Sequence, residues 1–186
     1  MATQTTGLTS FQSALTHGGA RPSLFEFQIT AAPTGVSASL SSVSLYCNVS
    51  EIPPLTLTPI ERQYFGRTVK IPGDLVFADL TTTIINTEKY NVRNEIEKWM
   101  EVINDTGDNT SATAADFGTG TAQLVHYQKD GTSTMTYEFV DCWPTAISEI
   151  ALSYDTASDI EQFDVTWAYN YYTMSGGTVT TNSTQG

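Results

Sequence analysis

The feature that most constrains this chain is a long aromatic segment near its C-terminus. From Phe163 to Tyr172, large apolar side chains alternate with small or polar ones. Successive side chains of a β-strand point to opposite faces, so this pattern predicts a strand with one buried face. The stretch 143–152 precedes it, and a polar turn at 155–159 separates the two. We therefore predict an antiparallel hairpin at the centre of a sheet. Its buried face carries Phe163, Val165, Trp167, Tyr169 and Tyr171.

Other segments show the same two-residue period. Their turns are rich in Gly, Pro and Asp, and Asp130-Gly131 is a favoured hairpin turn. With the hairpin above they make roughly eight strands, mostly antiparallel, which is typical of a β-sandwich. The predicted strands are 24–30, 43–49, 75–86, 121–127 and 132–141.

One helix is predicted, from residue 88 to residue 103. Apolar side chains recur there at helical spacing and form one stripe, which indicates a helix packed on the sheet. We expect Asn86 or Thr87 to cap its start, and Arg93 lies four residues before Glu97, the spacing of a surface ion pair. The stripe consists of Val92, Ile96, Trp99, Met100 and Ile103.

Residues 47–72 differ from the rest of the chain. Pro53, Pro54 and Pro59 cannot donate hydrogen bonds to a strand ladder, so they exclude a central strand. We interpret the segment as an extended arm or hairpin that stands off the main body, with an ordinary surface loop as the alternative. Its basic side chains are Arg62, Arg67 and Lys70.

These elements make one domain at residues 21–172. We expect a mainly β (α+β) fold, an antiparallel β-sandwich or barrel with one amphipathic helix and an extended arm. The polar segments around it predict a flexible N-terminal arm at 1–20, a polar loop at 104–120 and a disordered C-terminal tail at 173–186.

The charge of the chain is strongly negative and unevenly distributed. It has 20 acidic and 8 basic residues, a net charge of -12. Up to Lys98 there are 8 acidic and 7 basic residues, whereas from Trp99 onward 12 acidic residues accompany Lys129 alone. Binding to a nucleic-acid backbone relies on Lys and Arg, so we expect the second half to repel a polyanion.

Residues that could carry chemistry are few. His17 lies in the predicted arm and His126 in a strand, and neither Cys nor His shows metal-ligand spacing. Acid pairs such as Glu149 with Asp155 could serve a glycosidase, but scattered acids in hairpins usually face solvent. Cys47 and Cys142 are expected as small apolar thiols. We expect no enzyme, no cofactor, no metal and no membrane insertion.

Three stretches resemble the tail tube protein of contractile-tailed bacteriophages. Their order and spacing carry the resemblance, because no single motif is diagnostic. The stretches are ARPSLFEF at 20–27; 64–104, with Gly66-Arg67, IPGD at 71–74, IIN at 84–86, Arg93 and Trp99; and 143–166, with Trp143-Pro144-Thr145 and IEQFDVT at 160–166.

The resemblance implies a subunit that forms hexameric rings, which stack into a hollow tube inside a contractile sheath. One sheet of each subunit would continue around the lumen as a large barrel. It also implies partners: further copies of the chain, the sheath, tube-initiating baseplate proteins, the tape measure protein, and viral DNA in transit without specific binding. The subunit would be assembled in the host cytoplasm and end in the virion tail.

On charge and composition, we predict that the arm contacts a neighbouring ring. Two other functions stay open: the inner tube of a DNA-free contractile particle such as a bacteriocin or secretion system, and a monomeric carbohydrate-binding β-sandwich. The predicted contact residues are Arg62, Tyr64, Phe65, Arg67 and Lys70.

Overall fold

A computed structural model describes residues 11–13, 15, 18–36, 38–108, 110, 118–156 and 159–176. The strands are β1 (Phe25–Ala31), β2 (Cys47–Ser50), β3 (Leu55–Tyr64), β4 (Arg67–Phe77), β5 (Leu80–Ile85), β6 (Gly120–Tyr127), β7 (Ser133–Ile147), β8 (Gln162–Ala168) and β9 (Tyr171–Gly176). The helices are α1 (Val43–Tyr46) and α2 (Asn91–Ile103), with 3₁₀ turns at Ala38–Ser42 and Tyr154–Thr156.

Strand β7 belongs to two sheets. Its first part pairs with β6 and β9, and its last part, from Trp143 to Ile147, pairs with β8. Between the two parts, Asp141 adopts a left-handed conformation with φ 52°, which bends the strand. Asn170 Nδ2 donates a hydrogen bond to the Asp141 carboxylate at 2.8 Å, at the point where the chain passes from β8 to β9. The first sheet contains β1, β6, β7 and β9, and the second contains β2, β5, β8 and β7; all these pairings are antiparallel.

The two sheets and α2 enclose an aromatic core. The ring centroids of Phe27, in the first sheet, and Trp167, in the second, lie 5.8 Å apart. Trp99 of α2 lies 5.7 Å from Trp167, and all three side chains are fully buried. Each buried indole donates a hydrogen bond, Trp99 to the Gly118 carbonyl at 2.7 Å and Trp167 to Thr82 Oγ1 at 2.9 Å.

The predicted C-terminal hairpin is present, but the aromatic segment is not one strand. It ends at Ala168 and resumes at Tyr171 as β9, which pairs with the other sheet. The side chains shift by one position at this change of partner: Tyr169 is buried, but Tyr171, predicted on the buried face, is 47% exposed, and Tyr172 packs against Phe139 in the core instead. The unbroken alternation of the sequence cannot show this shift. Strand β7 ends at Ile147, so residues 148–152 belong to a long loop rather than to the strand. The predicted turn includes residues 157 and 158, which lie outside the described residues.

Two other predicted strands were wrong in extent. Residues 43–46 form α1, and only Cys47–Ser50 of the predicted second strand is extended. Residues 75–86 are divided at Ala78 and Asp79: the first part belongs to β4 and the second to β5. Tyr169 Oη donates a hydrogen bond to the Ala78 carbonyl at 2.6 Å. This tertiary contact fixes the break and cannot be inferred from periodicity.

The predicted helix begins at Asn91 instead of residue 88. Tyr90 precedes it in a left-handed conformation, and neither Asn86 nor Thr87 caps the helix with its side chain. Asn86 instead donates to Glu161 at 2.9 Å. The ion pair between Arg93 and Glu97 is present at 2.9 Å. The stripe prediction is confirmed for Val92, Ile96 and Trp99, which are buried.

The segments around the domain also differ from expectation. The C-terminal tail was expected from residue 173, but residues 173–176 lie in β9. The hairpin of β3 and β4 spans 55–77 rather than 47–72. In the predicted loop 104–120, Gly118 and Gly120 lie beside Trp99, and β6 begins at Gly120. Residues 1–10, 109, 111–117 and 177–186 lie outside the described residues.

The Trp167–Thr82 hydrogen bond should contribute measurably to stability. Thr82→Val keeps the shape and the β-branching but leaves the buried indole N–H without its acceptor. We expect the free energy of unfolding of the isolated subunit to fall by about 1–3 kcal/mol in denaturant titrations. Thr81→Val, an exposed neighbour on β5, is the control and should change it little. Equal stability of the two variants would contradict this role.

Candidate assembly interface

The hairpin of β3 and β4 projects from the sandwich. Its two strands pair only with each other among the described strands, and almost every residue in them is exposed. Apolar side chains such as Ile60, Val69 and Ile71 stay about half exposed. A two-stranded ribbon is marginally stable alone in water, and clustered exposed apolar groups mark an interaction surface. The hairpin therefore has the character of an interface.

The tip of the hairpin has a strained backbone, which makes folding less favourable. Tyr64 pairs with Arg67 across a two-residue turn, in which Phe65 has φ 46° and Gly66 has φ 77°. Such turns favour Asn-Gly, because bulky residues adopt positive φ at a cost. Phe65 is nevertheless present, 89% exposed, with its ring 4.5 Å from that of Tyr64. An exposed aromatic in a strained turn suggests a contact with another molecule.

The structure brings together all five residues predicted for the inter-ring contact. They occupy the last register positions of the hairpin, where Glu61 is opposite Lys70 and Tyr64 is opposite Arg67. Lys70 Nζ lies 3.0 Å from a Glu61 carboxylate oxygen, and both side chains are largely exposed. We call Arg62, Tyr64, Phe65, Arg67 and Lys70 the tip cluster.

The first sheet has two chemically different faces. Residues directly opposite each other on antiparallel strands share a face. Phe27, Leu124 and Tyr137 therefore lie together on the core side, whereas Glu26 and Glu138 lie on the other. We call the second one the polar face, and none of the four strands contains Lys or Arg. Its residues are Glu26, Gln28, Gln123, Val125, Thr136, Glu138, Val140, Tyr171, Thr173 and Ser175.

Sequence reasoning did not identify the polar face. It assigned the surface that repels a polyanion to the second half of the chain, yet Glu26 comes from the first half. Many acids of the second half lie in loops, including Glu149, Asp155 and Asp159. The signal available in the sequence was the absence of Lys and Arg from all four strands, but which strands are neighbours is known only from the fold.

Glu26 on the polar face is held in its charged form. Tyr127 Oη donates a hydrogen bond to its carboxylate at 2.7 Å. This bond, followed by one involving Gln28, lowers the pKa of Glu26 below its ordinary value of 4.5. The same bond raises the pKa of Tyr127. The polar face therefore keeps this negative charge in moderately acidic conditions.

The edges of the first sheet are open. Strands β1 and β9 are its outer strands, and each pairs with a single described strand. An open edge presents unpaired backbone N–H and C=O groups to any strand that approaches. The first sheet can therefore be extended at both sides by other copies.

The described part of the chain contains few groups that could carry chemistry. His126 lies in β6 opposite Phe25 and Met135. No group of three or more His, Cys, Asp or Glu side chains among the described residues could hold a metal ion. Burial raises the pKa of Cys47 and of Cys142 to about 12, so both thiols stay protonated. No described helix has the length and apolarity needed to cross a membrane.

Comparison with known proteins identifies the family. The family model described as phage tail tube protein matches residues 20–175. The chain belongs to this family. It is 27% identical over 155 residues to the tail tube protein of Enterobacteria phage T4, a match that covers 82% of this chain and 90% of that protein. The tail tube protein of Serratia phage KSP90 is 24% identical over 156 residues, covering 82% and 88% of the two chains.

Solved structures share the fold. The chain matches a protein in the sheath–tube complex of an extracellular contractile injection system, with TM-score 0.59, 14% identity, and coverage of 93% of this chain and 100% of the other. The tube-terminating cap of the anti-feeding prophage gives TM-score 0.62, 13% identity, and coverage of 95% and 100%. At these identities the likeness concerns the fold alone.

Family membership confirms the resemblance found in the sequence. The chain is a structural subunit of the phage tail tube and thus a component of the virion tail. The mainly β fold expected from alternation is also confirmed. A phage family favours the phage tail over the DNA-free particle, and it decides against the monomeric carbohydrate-binding module.

The Tyr127–Glu26 bond makes a pH-dependent contribution to the stability of this tail tube subunit. Because the pKa of Glu26 is lowered by folding, the stabilisation is present above the ordinary pKa of 4.5 and is lost as pH falls through the lowered value. Tyr127→Phe should raise the pKa of Glu26, measured by carboxyl NMR titration. Its destabilisation should be largest near neutral pH and shrink in acid. Tyr154→Phe, at a fully exposed tyrosine, is the control. An unchanged Glu26 titration in Tyr127→Phe would contradict the assignment.

Proposed function

We propose that six copies of this chain close into a ring, and that rings stack into a hollow tube through which viral DNA passes. The observation that carries the proposal is the first sheet, which has two open edges and a polar face without cations. When β1 of one copy pairs with β9 of the next, the sheet continues around the ring. Four strands from each of six copies give 24 strands, above the roughly 16 that an aqueous channel requires.

The polar face would line the lumen. Glu26 and Glu138 of each copy would give the wall negative charge, and its other polar groups are mostly Thr, Ser and Gln. Affinity for DNA comes largely from Lys and Arg on phosphates, and these strands have neither. DNA would therefore slide along the wall without being held.

The hairpin would join successive rings. Its half-exposed apolar side chains become buried when it lies on a neighbouring ring, and the tip cluster would contact that ring through its aromatic and cationic groups. Each chain carries a net charge of -12, so a neighbouring ring as a whole attracts these cations. A surrounding sheath, initiating baseplate proteins and a tape measure protein complete the expected set of partners, and the subunit would act without catalysis or a cofactor.

Negative-stain electron microscopy of the purified chain at low and high concentration tests the function. We expect rings or tubes with a central hole, and a rise in tube length with concentration. If only monomers form, even with tube-initiating proteins present, the ring proposal is wrong.

Charge reversal at the tip tests the inter-ring contact. Arg67→Glu combined with Lys70→Glu should abolish stacking but leave rings intact, because it sets negative charge against an acidic neighbour and beside Glu61. Tube length by electron microscopy is the measurement. Lys89→Glu, an exposed cation away from the hairpin, is the control. Tubes of unchanged length in the double variant would contradict the contact.

Substitutions of Phe65 distinguish its effect on folding from its effect on assembly. Phe65→Asn relieves the positive-φ strain and loses the ring contact with Tyr64, so the free energy of unfolding should stay within about 1 kcal/mol of the original. Tube formation should nevertheless weaken, because the exposed ring is lost. Phe65→Tyr keeps both ring and strain and should assemble normally. If Phe65→Asn forms tubes as readily as Phe65→Tyr, Phe65 has no role in assembly.

A further inference from the structure

The two ends of β7 differ in charge. Lys129 lies in the turn that precedes the strand at Ser133, and an acidic loop follows the strand after Ile147. The strand has 15 residues; at about 3.3 Å per residue it would span about 50 Å if straight, and the bend at Asp141 shortens this. Asp130 follows Lys129 in that turn, so the positive charge at this end comes from Lys129 together with Arg21, whereas the acidic loop lies at the other end of β7.

The cationic end contains a cavity of about 250 Å³. Arg21 and Lys129 both line it, two of the 8 Lys and Arg residues of the chain, and His126 lies beside them in the wall. A second cavity of about 370 Å³ shares His126 and is otherwise mainly apolar, with Phe25 and Leu124 in its wall. We call the two together the cationic cavity.

The wall of the second cavity includes a polar group that lacks a partner. Ser50 lines it, and the buried Ser50 hydroxyl makes no hydrogen bond within the described part of the chain. A buried hydroxyl without a partner is costly, and most such groups in folded proteins are satisfied. An incoming backbone or side-chain group could satisfy it.

The acidic loop connects β7 to β8, and residues 148–156 and 159–161 of it are described. The sequence from 148 to 161 has no Lys, Arg or His, and Glu149, Asp155 and Asp159 are exposed. Large apolar side chains lie among these acids: Leu152 is 78% exposed, Ile160 is 68% exposed, and Tyr154 is fully exposed. Apolar groups this exposed and this close in sequence mark a contact surface.

The chain direction places the hairpin at the cationic end. Strand β2 runs from Cys47, opposite Ile84, to Ser50, opposite Thr82. On β8, the partner of Ile85 is Gln162, beside the acidic loop. The chain therefore leaves β2 heading away from that loop, and Ile52 at the base of the hairpin lines the cationic cavity. The hairpin and the cavity can contact the same neighbouring copy.

We propose that the cationic cavity of one copy receives the acidic loop of the next copy, head to tail along the tube. Asp155 and Asp159 would contact Arg21 and Lys129. Leu152 and Tyr154 would enter the apolar part of the cavity. The proposal rests on the stacking of the proposed function, and it names the second surface of that contact. The charges allow only head-to-tail stacking, because two cavities, or two acidic loops, would repel each other.

Matched charge variants test the proposal. In Lys129→Asp alone, an acidic side chain at position 129 faces Asp155 of the next copy at every contact between rings. In Asp155→Lys alone, a cationic side chain at position 155 faces Lys129 of the next copy. Each should lose tubes in electron microscopy and keep its rings. Mixing rings of the two variants should restore tubes. When rings of the two kinds alternate along the tube, every contact between rings again pairs a lysine with an aspartate. The double variant in one chain should also restore them. Glu101→Lys, at an exposed acid in the last turn of α2, is the control.

The outcomes are distinguishable. If the original chain forms no rings or tubes, the proposed function fails; if it forms tubes and both single variants do too, only the head-to-tail contact is overturned. If Lys129→Asp loses tubes but Asp155→Lys does not, the cavity holds another segment. The N-terminal residues of the chain itself are that alternative, because Leu15 lines the cavity. Unaltered circular dichroism and melting of the subunits exclude misfolding, and failure of both mixing and the double variant also overturns the contact.

Discussion

The rest of the structure depends on one strand that serves two sheets. Strand β7 bends at Asp141, whose left-handed backbone lies beside Asn170, where β8 gives way to β9. The bend lets the second sheet fold over the first, so that Trp167 reaches Phe27 and the aromatic face is buried. The same bend leaves the other face of the first sheet outside and its edge strands open. Core and assembly surfaces therefore follow from a single change of direction.

This architecture is consistent with a subunit whose fold is completed by its copies. Open sheet edges and a ribbon with half-exposed apolar residues favour uncontrolled association in a monomer, whereas pairing within a closed ring removes the edges. The exposed ion pairs are individually weak, each worth at most about 1 kcal/mol. In the proposed six-membered ring such contacts would act together, because once one subunit is docked the others are held near their partners. Charge would then fix the direction and register of stacking, and buried apolar area would supply most of the affinity.

Much of the fold was predictable because local periodicity reports burial directly. The hairpin across Asp130-Gly131, the first strand around Phe27 and the helix stripe at Ile96 and Trp99 follow from alternation or helical spacing. The prolines and the basic residues between positions 47 and 72 identified the tip cluster as part of a separate arm. The errors occur where a tertiary contact overrides the local pattern. The Tyr169 bond to Ala78 divides one predicted strand, and Asn86 bonds Glu161 instead of capping the helix.

The sequence by itself determined the mainly β class, the single long helix, the family and the basic arm, because each depends on residues that are near one another in the chain. Only the tertiary structure decided which strands are neighbours. That choice creates the polar face from residues of both halves of the chain, and it brings Arg21 beside Lys129 in one cavity. It also sets the acidic loop at the opposite end of β7. Long-range pairing depends on the sum of many contacts across the core, and no local pattern of residues encodes that sum.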